Sequence, residues 1–526
     1  MRKNILYGDE ARQKLKSGVD KIANAVTVTL GPKGRNVSYN TAWDRPKVVH
    51  DGVTVAKEVE LVDSFENMGA QLAREAAEKT NDKAGDGTTT SILLTQAIVT
   101  EGIRNISAGA NPMALKRDME KAADLVIKEI KKVSKQIVSK EEKAQVATIS
   151  AQDEKIGNLI AEAMEAVGND GVITVEEGKG FDIELEYKEG MQFEHGYASP
   201  YFVTKPDKME AVLEDVSILL INNDVNDVQS LIMALDTLIK VSKRILIIAD
   251  DFDDSILATL ALNKVKGVLN VLAVKAPSVT IRRKEIMEDM AILTGAKVIS
   301  ESLGKTLNSI TPEDLGHIDK VISTRDDTTI IGGAGNKDEI EARIEHIKKL
   351  LDNSPTEFDK EKLRERLSAM TNGVAVINVG AASEIEQREK KLRVEDAVNA
   401  TKAAVEEGIV AGGGVALLNA REVLGESLGE RIIHNALAYP IKKIVENAGI
   451  NSGEVIANIR NKGNKGFNVT TLKYEDMIKS GIIDPAKVVI SALLNAVSVA
   501  TMILTTDCLI CETEEEREKR KLPPLR

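Results

Sequence analysis

The chain has 526 residues, 29% charged and 43% hydrophobic, which is globular composition and enough sequence for two to four domains. A net charge of −12 argues against a general nucleic-acid binder, and two cysteines, Cys508 and Cys511, exclude a disulfide scaffold. Aromatics make up only 3%, so the core must be aliphatic. The first ten residues carry no apolar signal core, and a reducing cytoplasm is the simplest compartment.

In chain order, Ser17 to Leu30 puts Val19, Ile22, Ala23, Val26 and Leu30 on one helical face, stopped by the turn Gly31-Pro32-Lys33-Gly34. Val48 to Val55 reads as strand, turn, strand. Gly85-Asp86-Gly87-Thr88-Thr89-Thr90 precedes an apolar, helix-compatible run from Ser91 to Val99. Glycines allow close backbone approach, a helix start offers free N–H groups, and a carboxylate there can hold Mg²⁺ against phosphate. The same residues alone equally suit a tight turn with an N-cap threonine. Residues 140–168 read as helical and Gly171 to Val175 as a strand.

From about 189 to 373, short apolar runs (218–221, 245–248, 268–274) alternate with helical stretches, an α/β pattern. A long charged helix spans Ser383 to Glu407 and ends at Gly408. Val488 to Thr506 carries Ser491, Asn495, Ser498 and Thr501, which suits a buried helix rather than a membrane span. The mixed-charge tail from Glu512 reads as disordered, and no internal repeat is visible.

Gly304-Lys305-Thr306 is not a P-loop, because Ile299 stands where the first glycine belongs. No HExxH or kinase set is present. Cys508-x-x-Cys511 lacks a second ligand pair and alternates like a strand, so it reads as structural. Asp396 shares a helical stripe with Leu392 and Ala400; it is either an ion-pair partner of Arg393 or a water-activating carboxylate. Phe193, Tyr197, Tyr201 and Phe202 crowd four aromatics into ten residues, which favours a binding surface.

Several segments, in matching order and spacing along nearly the whole chain, resemble the group I chaperonins of the GroEL type. They are Thr29 to Val37, Asp51-Gly52-Val53, Phe65 to Gln71, Ala84 to Thr90, Gly190 to Phe193, Arg393 to Ala397, and Ala403 through Leu417. The resemblance implies a multi-domain α+β and α/β fold with three parts: a mostly helical equatorial ATP-binding domain (1–133 and 407–526), an intermediate hinge domain (134–188 and 374–406) and an α/β apical domain (189–373). It implies an ATPase that captures non-native polypeptides and folds them beneath a GroES-type co-chaperonin lid, as a homo-oligomeric seven-fold ring, usually stacked in pairs, with no nucleic acid and no membrane.

By the same resemblance, Thr29, Leu30, Gly31 and Pro32 line the nucleotide site, Asp86 ligates Mg²⁺, and Gly87, Thr88, Thr89 and Thr90 cradle phosphates. Gly413, Asn468, Val469, Thr470 and Asp484 meet the rest of the nucleotide. Asp51 and Asp396 activate water, and Thr29, His50 and Thr89 stand where K⁺ is expected. Polypeptide and lid would dock on Tyr197, Ser199, Tyr201, Phe202, Ile232, Leu235, Leu257, Ala261 and Leu262, with Gly190 and Gly373 as hinge.

Departures from the family pattern are His50 for lysine, residues 276–283 without the usual glycine-rich run, Ala198 and Ala261 in the groove, Lys442 and Asn451 in place of an inter-ring Arg–Glu pair, and a charged tail in place of Gly-Gly-Met. These departures raise a second expectation, a holdase ring with weakened lid coupling. A third, a soluble phosphotransferase on the same cradle, has no acceptor motif to support it.

Overall fold

The structure, a computed structural model, describes residues 3–512 except 41–46, 50, 138, 152, 169–170, 179, 207, 240–241, 278–280, 301, 303, 355, 372 and 460–462. The chain forms two compact units. Unit 1 joins Met1–Ala161 to Leu392–Arg526, and unit 2 is Glu162–Lys391.

Unit 1 is a helical body assembled from both chain ends. Its core helices are Gly8–Val26, Ser64–Ala84, Thr88–Ser107, Pro112–Val133 and Ala486–Thr505. Val19, Ile22, Ala23 and Val26 are fully buried, as the periodicity requires. The first helix ends at Val26 and not at Leu30, because a 3-10 turn, Thr27–Thr29, leads into the Gly31 turn. The helix Ser64–Ala84 buries Ala70, Ala73, Ala76 and Ala77, so its neighbours approach closely. A Cβ at Gly18 would lie 1.8 Å from the Glu66 carbonyl oxygen, and one at Gly69 would lie 2.1 Å from that of Leu15. The helix Ala486–Thr505 is apolar enough to cross a membrane by length, but 72% of its apolar window is buried inside the protein, the profile of a core helix. Lys3–Tyr7 pairs antiparallel with Cys508–Glu512, tying the two ends together. Cys508 is exposed and Cys511 buried on opposite faces of that strand, neither in a disulfide, and the Cys511 thiol meets Met68 Sδ at 3.2 Å.

Three local readings change. Val53-Thr54-Val55 is helical, within Gly52–Glu58, although β-branched residues favour strands. Asp51 overrides that propensity by accepting hydrogen bonds from the N–H groups of Val53 (3.1 Å) and Thr54 (2.7 Å), a full N-cap. The helical stretch 140–168 is two helices, Lys140–Ala151 and Glu154–Val167, and Asp153 starts the second by accepting from Lys155 and Ile156 N–H. Glu512 belongs to a strand; the rest of the tail, 513–526, lies outside the described residues.

Unit 2 is α/β. Its main sheet runs in the order Gly190–Phe193, Thr328–Ile331, Gly316–Ser323, Ala211–Ile221, Arg244–Ala249, Asn270–Lys275, with Val298–Ile299 also pairing Ala211–Ile221. The strands Ala211–Ile221, Arg244–Ala249 and Asn270–Lys275 are parallel and joined by the helices Val228–Leu238 and Asp254–Val265. Ile218 to Leu220, Ile245 to Ile248 and Val271 to Val274 are buried on both faces, which explains their unbroken apolar runs. A smaller sheet places Val374–Val379 between Val172–Glu177 and Ile183–Lys188. The helix Glu384–Glu407 runs from unit 2 into unit 1 and ends, as expected, at Gly408 with φ of 81°.

The Gly18 crossing gives a test in which two effects oppose. Gly→Ala inside a helix ordinarily stabilises by about 1 kcal/mol. Here the overlap with the Glu66 carbonyl dominates, so Gly18→Ala should destabilise by roughly 1–3 kcal/mol, read as a lower urea midpoint. A raised midpoint refutes the packing argument.

Candidate functional site

The Asp86 loop is pressed between two helices of unit 1. Gly85 (φ 70°) and Gly87 (φ 87°) both take left-handed backbone conformations. A Cβ at Gly85 would lie 2.2 Å from the Asn399 Cβ, and one at Gly87 would lie 2.8 Å from the Val488 Cγ1, so only glycine fits at either place. The helix Thr88–Ser107 then starts with Gly87 as its N-cap and no side-chain cap. Its first N–H groups, at Thr88, Thr89 and Thr90, are therefore not satisfied by a capping side chain, and the positive end of the helix dipole faces the loop. Thr88 is buried; Thr89 and Thr90 are half-buried. A Cβ at Gly52 would lie 2.1 Å from Thr89 Oγ1, which brings the Asp51 turn against the same helix start.

Asp484 arrives from the other end of the chain. Ile483–Pro485 pairs with Ile409–Ala411, Val410 opposite Asp484, and the Gly412-Gly413-Gly414 turn follows directly. Gly413 N–H donates to the Asp484 carboxylate, and a Cβ at Gly412 would lie 3.1 Å from Asp484 Oδ1. Asp86 is raised above the usual carboxylate range, by desolvation first and then by the charge of Asp51; the Gly87 N–H opposes the shift. Asp484 is pushed up to about 7, by desolvation and then by the charge of Asp86. Asp86 nevertheless has open surface and Asp484 is half-buried. Both facts fit carboxylates on the floor of an open cleft, ringed by protein but reached by solvent. Among the described residues no lysine or arginine ion-pairs with Asp51, Asp86 or Asp484. Three carboxylates, Asp86 coupled to Asp51 and Asp484 to Asp86, beside a glycine-lined helix start suit a divalent cation carrying a polyphosphate. The residues therefore fit Mg²⁺ and ATP.

The Thr29 to Pro32 loop lies on the helix Tyr439–Asn447. A Cβ at Gly31 would lie 3.1 Å from Ile444, and Asn447 Nδ2 donates to the carbonyls of both Thr27 and Leu30, at 2.9 Å each. Asn447 was not found by sequence reasoning; an amide inside an amphipathic helix carries no signal until its partners are known. Thr29 is buried and its hydroxyl donates to Val26 O, Leu30 and Gly31 are half-buried, and Pro32 is exposed. Asn468 is engaged in its own turn, accepting from Thr470 N–H (2.9 Å) and donating to Glu475 (2.5 Å). Val469 is buried with Ala411, Val415 and Met477, while Thr470 is exposed. His50 lies outside the described residues. Asp396 is half-buried, three residues before Asn399, which places it on the helix face that meets Gly85.

In unit 2 the residues expected at an apolar groove divide. Tyr201 (74% exposed), Ile232 and Leu262 face solvent, whereas Phe202 (0%), Leu235 and Ala261 are buried. The last three lie in the core: Phe202 and Leu235 pack into the unit's main hydrophobic cluster, and Ala261 is covered on the helix Asp254–Val265. Tyr197 and Leu257 are half-buried against the same cluster, and Ser199, half-buried, N-caps the 3-10 turn Pro200–Phe202 by accepting from Tyr201 N–H. Met233, Val265 and Val268 are exposed apolar residues that motif matching passed over. Gly373 has φ of 58°, and a Cβ at Gly190 would lie 2.4 Å from Ile330 O. Of the divergent segment 276–283, residues 278–280 lie outside the described residues; Arg283 is ion-paired to Asp250 at 2.7 Å.

A family model of the TCP-1/cpn60 chaperonins matches residues 22–514. Among solved structures, chaperonin gp146 from the bacteriophage EL 2 (Pseudomonas aeruginosa), crystallised in the presence of ATP-BeFx, is 23% identical with a TM-score of 0.69, over 97% of this chain and 99% of that one. A second crystal form of the same protein gives 0.62 at 22% identity over the same shares. At this identity the likeness is one of fold, and it extends over nearly all of both chains.

The raised Asp484 has a signed consequence for the nucleotide-free protein. A carboxyl that titrates near 4 when unfolded and about 7 when folded keeps, in the folded state, a proton the unfolded state has lost. Its contribution to stability therefore falls as pH rises through that window. Asp484→Asn should flatten the decline in urea midpoint between pH 4 and 7; equal slopes in both proteins contradict the shift. Separately, Asn447→Ala should weaken ATP binding by about tenfold by freeing two carbonyls of the Thr29 loop, measured by calorimetry against wild type.

Proposed function

The chain belongs to the TCP-1/cpn60 chaperonin family, its role is that of a chaperonin, and we propose that it works as an ATP-driven protein-folding ring. The observation that carries the ATPase reading is the meeting of Asp51, Asp86 and Asp484 beside the Gly87–Thr88 helix start, with no lysine or arginine ion-paired to them among the described residues.

On this reading Asp86 would hold Mg²⁺, with its carboxylate accepting from Gly87 N–H, and the N–H groups at Thr88, Thr89 and Thr90 would donate to phosphate oxygens beside Gly87. Gly413 and Asp484, with Asn468, Val469 and Thr470, border the base and ribose, and Thr29 to Pro32 form the facing wall. Thr29 and Thr89, with His50, are the K⁺ candidates. When bound, Mg²⁺–ATP would supply the charge that offsets the carboxylates and the γ-phosphoryl group, which passes to water as its bond to ADP breaks. Asp51 and Asp396 orient the water and accept its proton. The crystallisation of the phage chaperonin in the presence of ATP-BeFx supports the reading of a nucleotide site.

The proposal extends to a three-domain subunit, with equatorial (1–133, 407–526), intermediate (134–188, 374–406) and apical (189–373) parts, and to a heptameric double ring in the cytoplasm that encloses non-native polypeptide under a GroES-type lid. Tyr201, Ile232 and Leu262 would supply the capture surface, since apolar burial needs no particular client sequence. The burial of Phe202, Leu235 and Ala261 narrows that surface and favours a second reading, a holdase ring with weak lid coupling. Refolding of a stringent client with and without the lid separates the two: equal yields support the holdase.

Asp396→Ala should keep ATP affinity within about twofold and lower turnover by about 10² or more. Unchanged hydrolysis removes Asp396 from the mechanism. Light scattering with and without ATP tests the ring itself.

A further inference from the structure

Lys264 stands at the end of the apical helix Asp254–Val265, in an unusual position for an ammonium. Leu257, Ala261 and Lys264 follow one another at helical spacing, so the lysine continues an apolar stripe. Its Nζ donates to the carbonyl of the fully buried Phe202 and lies 5.8 Å from the centre of that ring. Among the described residues no carboxylate ion-pairs with it. Desolvation holds its pKa below the usual lysine value, with no acidic neighbour to offset the shift. An ammonium has three donors, and the Phe202 carbonyl accounts for one. Around it Tyr201, Leu262, Val265 and Val268 present exposed apolar surface.

We propose that this surface selects apolar polypeptide segments that carry an acidic side chain, with the partner's carboxylate docking on Lys264. The inference rests on the reading of this face as the polypeptide-capture surface and narrows its substrate class. Charge complementarity carries it: a half-buried cation without a counter-ion gains most from a carboxylate that arrives with apolar neighbours, because such a partner covers the surface and restores the charge pairing lost on desolvation. An apolar segment without an acid would gain only the burial, and one with a lysine would meet like charge. The selectivity is therefore a property of one residue superimposed on a non-directional groove.

The test uses the full chain and two labelled twelve-residue apolar peptides, identical except for a central Glu or Gln. Wild type should bind the Glu peptide roughly tenfold more tightly, with the advantage shrinking in 0.5 M salt. Lys264→Met, which keeps the length of the stem, should bring the Glu-to-Gln ratio to about one, and Lys264→Arg should retain a preference. Each ratio is taken within one protein, so a general loss of affinity from a disturbed Phe202 contact does not confound it. A wild-type ratio near one, or the same ratio in Lys264→Met, overturns the proposal. If neither peptide binds wild type while denatured protein does, the selectivity is overturned and the capture reading stands. If neither peptide nor denatured protein binds, both fall.

Discussion

The gathering of Asp51, Asp86 and Asp484, where desolvation and neighbouring like charge both disfavour ionised carboxylates, is the constraint on which the site in unit 1 depends. Left to relax, three carboxylates that ion-pair with no lysine or arginine among the described residues would separate. The backbone prevents it. Asp86 is fixed by left-handed glycines on both sides, Asp51 is spent capping the helix Gly52–Glu58, and Asp484 is held in a strand pair against the Gly412–Gly414 turn. Desolvation first, and the charge of a neighbouring carboxylate second, raise the proton affinity of Asp86 and Asp484 in that arrangement.

The fold makes this possible because unit 1 takes its helices from both ends of the chain. Asp86 lies in the first hundred residues and Asp484 in the last fifty, and the helices between them cross at glycine and alanine contacts that leave little room for adjustment. Even the supporting contacts obey this rule: Asn447 reaches back more than four hundred residues to hold the Thr27 and Leu30 carbonyls. The long helix Glu384–Glu407 presents Asp396 on the side where Asn399 meets Gly85, so Asp396 and the Asp86 loop flank one packed contact.

Unit 2 combines exposed apolar side chains with a stable support. A sheet with strands buried on both faces supplies the support. The helices Val228–Leu238 and Asp254–Val265 each divide their apolar residues, with Leu235 and Ala261 inward and Ile232 and Leu262 outward. Lys264 fixes the Phe202 turn from the end of one of them.

Much of this was legible in the amino-acid order alone. Gly-Asp-Gly before an apolar helix, the glycine triplet, the apolar runs of the parallel strands and the long charged helix stopped by Gly408 are all local patterns, and local sterics determine them. The matching motifs also placed the chain in its family. What only the tertiary structure decided were matters of contact between distant residues. The Val53–Val55 stretch is a helix because Asp51 caps it against its own propensity. Phe202, Leu235 and Ala261 went inside because helical spacing identifies an apolar stripe but not how deeply the neighbours cover it. Asn447 and Lys264 gained their roles from carbonyls supplied by other segments. The sequence determined which residue types stood ready; packing determined which of them met, because burial and charge coupling depend on three-dimensional distance and not on separation along the chain.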